Sequence, residues 1–311
     1  MPIVAGIDIG TNTVRLLIAE ADPAGRFRPL YEAQHIPRLG EGHEGWLRPQ
    51  AVARTMTVLQ AFDRIMKSHG VETVVAVATS AVRDAGNQAE FLRQVKTDTG
   101  LDVEVLSGEE EARRTYRGVA YGMGGGPMLL MDIGGGSTEF VKAVDHRVVT
   151  GLSATIGTVR LTERYLRTDP PAPADLQILW EDVTDLLRDA AERVGPCDGL
   201  RFVGTAGTVT TLAAVSHGLR RYDAQQVHGT ILTREVVTRL WDRLKGQSIA
   251  DRMAENPGLE RGRADVIVAG AAIVLIALTT FGFDRLLVSD YGLREGIILT
   301  HLGAPRQARA S

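Results

Sequence analysis

Cysteine is almost absent from this chain of 311 residues, in which Cys197 is the single one. One cysteine excludes a disulfide framework, a cysteine-based zinc site and a cysteine-ligated cluster. A reducing compartment is therefore the default. The chain enters a predicted strand at Ile3 without a basic leader, which argues against a signal peptide, so we expect a cytoplasmic protein.

An excess of positive charge is also missing, since the formal net charge is −3 at pH 7. No global positive field would collect a nucleic acid, and we expect no such partner. Any attraction for phosphate must be local. Arginine makes up 31 of the 35 basic residues, which suits bidentate phosphate contacts, although a biased codon composition would produce the same excess.

One stretch of 18 residues, from Val266 to Phe283, carries no charge and is a candidate for a membrane-spanning helix. It is only just long enough, contains Gly270 and Gly282, and is flanked by Asp265 and Asp284. We expect a buried helix and no membrane partner. With 44% hydrophobic residues in alternating strand-like and helix-like stretches, the chain is predicted to be a soluble α/β protein.

The most informative stretch runs from Leu129 to Val141, where an apolar run leads to Asp132, three glycines, Ser137 and Thr138, and then apolar residues return. This pattern predicts a strand, a tight turn and a second strand. Consecutive glycines allow positive φ and bring backbone N–H groups close to an anion, to which the hydroxyls can also donate. Asp132 would repel a phosphate unless a cation lay between them, which favours a magnesium-phosphate site. The alternative is an ordinary glycine-rich hairpin.

A second copy of the pattern lies 124 residues upstream, where Asp8 to Thr13 aligns with Asp132 to Ser137. Both copies stand between apolar stretches. A repeated unit of this kind predicts two lobes of one plan, each offering a phosphate loop to a shared cleft, and it disfavours the plain hairpin.

The glycine-rich residues Gly122 to Pro127 separate the two copies and mark the expected domain boundary. We expect an N-terminal lobe over residues 1–121 and a C-terminal lobe over residues 122–292. A last helix, within 293–311, is expected to pack back on the N-terminal lobe, with a frayed tail after His301.

Two further turns carry hydroxyls at the ends of predicted strands. Thr79 to Asp84 follows a buried strand and includes Ser80 and Arg83, at the edge where α/β sheets usually bind ligands. Gly204 to Thr211 feeds a helix N-terminus, which offers free N–H groups to an anion. Each turn alone is also explained by helix capping without a ligand.

Three adjacent glutamates open the predicted helix after Ser107. Ser107 and Glu110 fit a capping box, and Glu109 is expected to be solvated. Glu111 is left without a local partner and, in the first turn, stays ionised as a base or water-positioning group would. The alternative is that all three simply complement the helix dipole.

Six motifs, taken together and in this order, resemble the exopolyphosphatase and guanosine pentaphosphate phosphatase family. They are Asp8 to Arg15, Thr79 to Arg83, Ser107 to Ala112, Asp132 to Glu139, Gly204 to Thr208 and Ser289 to Gly296. The resemblance covers nearly the whole chain. It implies the actin-like ATPase superfamily: two actin-like (RNase H-like) lobes, α/β with mixed sheets flanked by helices, and an active site in the interdomain cleft.

The resemblance implies an exopolyphosphatase, which releases terminal phosphate from inorganic polyphosphate with Mg²⁺. The alternative within the family is a guanosine pentaphosphate 5′-phosphohydrolase. By analogy, Glu111 orients or deprotonates water, while Asp132 and Glu139 are catalytic and hold the metal with help from Asp8. The residues expected to bind phosphate are Thr11, Asn12, Thr13, Arg15, Ser80, Arg83, Gly134, Gly135, Gly136, Ser137, Thr205, Gly207 and Thr208.

Long members of that family carry an additional helical region, whereas this chain stops soon after Gly292 to Gly296. It resembles the short, two-domain form, and we expect a preference for short polyphosphates. Whether the protein forms a homodimer is left open by the sequence.

A nucleotide-dependent kinase, or a non-catalytic switch that binds ATP or an alarmone, is the rival from a different class. A kinase would need an adenine pocket and a base at an acceptor site, and the sequence identifies neither. A binding protein without turnover would require a lost catalytic carboxylate, whereas Glu111 is present.

Overall fold

The computed structural model describes residues 1–22, 25–42 and 44–303, so most of the predicted frayed tail lies outside the described residues. The described chain forms two mixed β-sheets. The strands of the N-terminal sheet are β1 (Ile3–Ile9), β2 (Val14–Ala21), β3 (Phe27–His35), β4 (Thr73–Ala78) and β5 (Val103–Val105). The strands of the C-terminal sheet are β6 (Met128–Ile133), β7 (Thr138–Val144), β8 (Arg147–Ala154), β9 (Arg201–Thr205), β10 (Ile231–Thr233) and β11 (Arg285–Val288).

Helices cover these sheets. They are α1 (Pro49–Ser68), α2 (Ser80–Arg83), α3 (Gln88–Thr99), α4 (Gly108–Met123), α5 (Thr158–Tyr165), α6 (Pro173–Val194), α7 (Ala206–Ser216), α8 (Ala224–Val227), α9 (Arg234–Lys245), α10 (Ile249–Glu255), α11 (Ile267–Thr280) and α12 (Leu293–Gly303).

The two sheets share one strand order. The N-terminal sheet runs β3-β2-β1-β4-β5, and the C-terminal sheet repeats it as β8-β7-β6-β9-β11, with β10 added at the edge. In each sheet the first three strands along the chain pair antiparallel, and two further strands join in parallel, which are β4 and β5 in the N-terminal sheet and β9 and β11 in the C-terminal sheet. The added strand β10 pairs antiparallel with β11. The predicted α/β fold with two mixed sheets is therefore confirmed.

The central strands β1 and β6 are apolar along nearly their whole length because helices cover the sheets on both faces. Each breaks that pattern at its second-last residue, which is Asp8 in β1 and Asp132 in β6. The two buried aspartates therefore occupy equivalent positions, each at the C-terminal end of the central strand of its sheet.

Helix α11 forms the centre of the larger core, and every residue from Ile267 to Leu278 is buried. A helix of 14 residues is about 21 Å long, which is shorter than the roughly 30 Å hydrocarbon layer of a bilayer. Within the described residues, no helix is long and apolar enough to cross a membrane. The uncharged stretch is thus a buried helix, as expected.

Helix α12 packs on the N-terminal sheet and on α4. Ile298 lies against Leu17 and Ala19 in one apolar cluster, which places the helix beside β2. Its contact with α4 requires glycine, because a Cβ at Gly296 would lie only 1.8 Å from the carbonyl oxygen of Arg114. The chain therefore passes from β11 of the C-terminal sheet into α12, which packs on the N-terminal sheet.

Candidate active site

The two predicted phosphate loops adopt the same turn. The Gly10 N–H donates to the Thr13 carbonyl, and the Gly134 N–H donates to the Ser137 carbonyl, each at 2.9 Å. This identity of hydrogen bonding follows from the repeated sequence pattern. The loops lie at the ends of β1 and β6 and line one cavity between the two sheets.

Consecutive glycines allow positive φ, but none of Gly134, Gly135 and Gly136 has φ in the left-handed region. The glycines are required by close approach instead. A Cβ at Gly136 would lie 2.7 Å from Ser80 Oγ and 2.9 Å from Thr11 Oγ1. Those two hydroxyls hydrogen-bond each other at 2.9 Å, so the second loop packs tightly on hydroxyls from the N-terminal sheet.

Four carboxylates line the cavity, and each is less than a tenth exposed. Asp8 and Asp132 come from the central strands of the two sheets. Glu139 lies opposite Asp132 in the β6–β7 register. Glu111 comes from the first turn of α4.

Burial raises the pKa of all four carboxyl groups, and repulsion from neighbouring carboxylates adds to the shift of Asp8, Glu111 and Glu139. The pKa of Asp8 is raised to about 6 by burial, with Arg15 opposing the shift and Asp132 adding to it. Burial and Asp132 raise the pKa of Glu139 to about 7. Burial, followed by the charge of Glu139, holds the pKa of Glu111 well above its usual range, while Arg83 opposes the shift. Burial also raises the pKa of Asp132. Such a cluster stores repulsion that a proton or a cation relieves.

Neighbouring donors hold three of these carboxylates in place. Glu139 accepts hydrogen bonds from Ser137 Oγ and Ser153 Oγ, each at 2.7 Å. Asp132 accepts one from Thr115 Oγ1 at 3.1 Å.

Glu111 is held by an arginine. It accepts a hydrogen bond from Arg83 Nη1 at 2.8 Å, and the same nitrogen donates to the Leu106 carbonyl at 3.0 Å. Among the described residues that line the cavity, Arg83 does not appear. The arginine that was expected to bind phosphate therefore lies behind Glu111, with its charge already paired.

The predicted capping box at α4 forms only in part. Ser107 Oγ accepts the Glu110 N–H at 3.2 Å, but the Glu110 carboxylate accepts a 2.9 Å hydrogen bond from Arg114 Nε. A charged guanidinium is a stronger donor than the neutral amide of Ser107. Glu109 was expected to be simply solvated, and it pairs with Arg113 in an exposed contact. Of the three glutamates, Glu111 is the one that lines the cavity.

Most of the predicted phosphate-binding residues do meet in this cavity. Those that line it are Thr11, Asn12, Thr13, Arg15, Ser80, Gly134, Gly135, Ser137, Thr205, Gly207 and Thr208. The Thr205 hydroxyl donates to the Tyr291 carbonyl at 2.8 Å, so it is engaged within the protein. Asn12 Oδ1, an acceptor, is buried in the described structure without a hydrogen-bond partner.

The turn between β9 and α7 carries a strained residue, because Ala206 has a φ of +67°. This conformation is rare for a residue other than glycine, and such strain clusters at functional sites. The turn also lines the cavity, next to Gly207.

Arg263 is the cavity residue that sequence reasoning missed. It is 7% exposed and lies directly over Gly207, where a Cβ would come within 1.5 Å of Arg263 Nη1. Burial lowers the pKa of Arg263, and the nearby charge of Arg15 acts in the same direction. In the sequence this arginine is only the flank of an apolar run, so no local signal marks it. The cavity is thus lined by two arginines, Arg15 on β2 and Arg263 in the turn before α11.

The donor set fits a hard divalent cation. Among the described residues, no three histidine, cysteine or acidic side chains converge closely enough to hold a metal ion by themselves. Mg²⁺, however, is commonly held by one or two carboxylates while substrate phosphates and water complete its shell. Asp132 and Glu139 are cross-strand neighbours on buried strands, and they present oxygen ligands whose repulsion a cation would relieve.

In this cavity two matched hydroxyl-rich loops lie beside a buried carboxylate cluster, an arrangement that suits the binding of a phosphoryl group next to a metal ion. The sequence model of the Ppx/GppA phosphatase family matches residues 17–304, and the chain belongs to this family. Exopolyphosphatase 2 of Mycobacterium tuberculosis is 37% identical, with 96% of this chain and 98% of that protein covered.

Solved structures agree with this assignment. The family member from Aquifex aeolicus has a TM-score of 0.82 at 37% identity, with 97% of each chain covered. An exopolyphosphatase from Cytophaga hutchinsonii has a TM-score of 0.86 at 29% identity, covering 96% of this chain and 97% of that one. The resemblance carried by the six motifs is thereby confirmed, and the chain is a hydrolase of phosphoric anhydrides.

Proposed function

We propose that the protein is an exopolyphosphatase that hydrolyses the terminal phosphate from inorganic polyphosphate. The observation that carries this proposal is the meeting of four buried carboxylates with two matched phosphate loops in one cavity. Relatives that share nearly the full length of the chain are named exopolyphosphatases, which supports the same substrate class.

Glu111 would orient the attacking water and accept its proton. Burial raises the pKa of this carboxyl well above its usual range, which makes its ionised form a stronger base than an exposed carboxylate. Arg83 fixes the direction of the carboxylate through the 2.8 Å hydrogen bond. As the water oxygen bonds to the terminal phosphorus, the bond from that phosphorus to the bridging oxygen breaks, and the shortened chain leaves.

Phosphate binding would fall to the two loops and the two facing arginines. Residues of both loops line the cavity, where free backbone N–H groups would donate to phosphate oxygens. Arg15 and Arg263 line the same cavity and would supply positive charge. Arginine suits this task because its planar guanidinium matches two phosphate oxygens at once.

Asp132 and Glu139, with Asp8 from the facing sheet, would hold Mg²⁺. When bound, the cation supplies charge neutralisation at the phosphoryl oxygens. We also propose the division into lobes at residues 1–121 and 122–292, with the cleft between them closing on the substrate. A cytoplasmic location, expected from the single cysteine, stays a prediction.

The test is phosphate release from tripolyphosphate, guanosine pentaphosphate and ATP, each at equal concentration with Mg²⁺. Release mainly from tripolyphosphate is expected. Preference for the guanosine substrate would move the protein to alarmone hydrolysis, and no release from any of them would contradict the proposal. A Glu111→Gln variant, run beside the wild type, excludes phosphate release by a contaminating enzyme.

A further inference from the structure

Gln34 lies between the two cavity arginines. It sits on β3 directly opposite Arg15 of β2, and Arg15 Nε donates to Gln34 Oε1 at 3.0 Å. On its other side, Gln34 Nε2 lies 2.9 Å from each carboxylate oxygen of Glu260. Glu260 in turn accepts a 2.5 Å hydrogen bond from Arg263 Nε. A continuous chain of contacts therefore runs from Arg15 through Gln34 and Glu260 to Arg263.

Position 34 requires a side chain that both accepts and donates a hydrogen bond, and among side chains of that length only the amide of glutamine does both. An amide offers an acceptor to the cation of Arg15 and a donor to the anion of Glu260, and these partners fix which end is oxygen. A glutamate at position 34 would repel Glu260, and a lysine would repel Arg15.

The segment that carries Arg263 is held by Arg38, which lies in the loop after β3. Arg38 Nη2 reaches both oxygens of Asp265 at 2.5 Å and the Gly262 carbonyl at 3.3 Å, so it grips the chain on both sides of Arg263. Arg15 and Arg263 line the same cavity, where two like charges repel unless something holds them. The hydrogen bonds between Gln34 and Arg15 and between Glu260 and Arg263 fix the positions of the two arginines.

We propose that Gln34 is a positioning residue, which sets the spacing of Arg15 and Arg263 so that both can contact the substrate's phosphates. The proposal rests on the proposed function, since it assigns these arginines to substrate binding. Because Gln34 acts on binding groups and touches none of the four carboxylates, its loss acts on KM rather than on kcat.

The first variant is Gln34→Leu, which removes both hydrogen bonds at similar volume. Two charge-assisted hydrogen bonds are lost, one from Arg15 and one to Glu260, and we expect KM for tripolyphosphate to rise roughly tenfold while kcat changes less than about twofold. The matched control is Gln177→Leu on α6, where an amide bonds Glu181 far from the cavity, and its KM should equal that of the wild type.

A charge swap separates positioning from a general structural role. Gln34→Glu alone sets two carboxylates against each other and should raise KM. Adding Glu260→Gln reverses the donor and acceptor roles and rebuilds the chain of contacts, so the double variant should return KM to within about threefold of the wild type. If the double variant is no better than Gln34→Glu, the positioning role is overturned.

Binding of tripolyphosphate measured by calorimetry in EDTA gives a readout that does not depend on turnover. We expect Gln34→Leu to weaken this binding by about the factor by which it raises KM. If the wild type binds and hydrolyses tripolyphosphate while Gln34→Leu keeps both KM and affinity, the positioning role alone fails. If the wild type does neither, the proposed function fails and the positioning role falls with it.

Discussion

The two copies of the strand, aspartate and glycine-turn unit differ in the residue that faces the aspartate. In the N-terminal sheet Asp8 lies opposite Arg15, whereas in the C-terminal sheet Asp132 lies opposite Glu139. Arg15 and Glu139 occupy the same place, the second residue of the second strand of each hairpin.

This difference suggests separate roles for the two copies, which share one backbone arrangement. An arginine beside the aspartate offsets its charge and leaves a cation for phosphate, while a glutamate doubles the negative charge and invites a metal ion. The C-terminal copy also has Glu111 close enough for its charge to act on Glu139. We infer that the N-terminal copy mainly binds substrate and the C-terminal copy mainly serves the chemistry.

The largest expected effect comes from the carboxylate next to the C-terminal copy. Glu111→Gln keeps shape and hydrogen bonding to Arg83 but cannot accept a proton, so kcat should fall about 10²–10⁴-fold. Steady-state kinetics with tripolyphosphate measure this, and KM should stay near the wild-type value. An unchanged kcat would remove Glu111 from the mechanism.

The next effect comes from the N-terminal copy. Arg15→Gln removes the cation opposite Asp8, and we expect KM to rise about ten- to hundredfold because charged hydrogen bonds to phosphate are lost. The same kinetics serve as the measurement. Arg26→Gln is the control, since that arginine pairs with Asp22 on the surface and should leave KM unchanged. A loss confined to kcat would contradict the division of work.

A smaller effect concerns stability and its pH dependence. Asp8 has a pKa raised to about 6, so the stability linked to its protonation is present below about pH 4 and is lost as pH rises through about 6. Asp8→Asn should therefore stabilise the metal-free protein at pH 7.5, by about 1–3 kcal/mol, and much less at pH 4.5. Thermal unfolding in EDTA at both pH values measures the difference. Equal gains at both pH values would contradict a buried, repelled carboxylate.

The smallest effect concerns chain length. A second cavity, next to the first, is lined by Arg15, Arg263 and Arg294 and by four acidic residues, Glu32, Glu260, Asp290 and Glu295. Arg263 pairs with Glu260, and Arg294 pairs with Glu32 and Glu295, so this cavity offers little net positive charge to the distant part of a polyanion. We expect kcat/KM to reach its maximum with short polyphosphates and then stay flat. Assays with chains of defined length test this, and a rate that climbs steadily into hundreds of phosphates would refute it.

Local sequence patterns were sufficient for the elements that carry the two copies. The strands Ile3–Ile9 and Thr73–Ala78 and the helix Pro49–Ser68 follow from the sequence, because their apolar residues have the period of a buried strand or an amphipathic helix. The strand Ile231–Thr233 and the helix Ile249–Glu255 have no such signal. Three and seven residues are too few to show a period, and tertiary contacts define them.

The candidate site was predictable where its residues belong to a repeated or capped motif. Asp8 and Asp132 come from the repeat, and Glu111 was singled out because its neighbours serve the helix terminus. Arg263 was not predictable, because its place in the cavity depends on Arg38 and Gln34, more than two hundred residues earlier in the chain. The need for glycine in the turn at Gly136 was not predictable for a similar reason, since the constraint comes from the hydroxyls of Thr11 and Ser80, far away in the chain.

The most direct test of the division of work compares Arg15→Gln with Glu139→Gln for binding of tripolyphosphate in EDTA and for turnover with Mg²⁺. We predict that Arg15→Gln loses affinity about ten- to hundredfold but keeps most of its kcat, and that Glu139→Gln keeps its affinity but loses at least about a hundredfold in kcat. If both variants lose affinity and kcat to the same extent, the two halves of the site do not divide binding from chemistry.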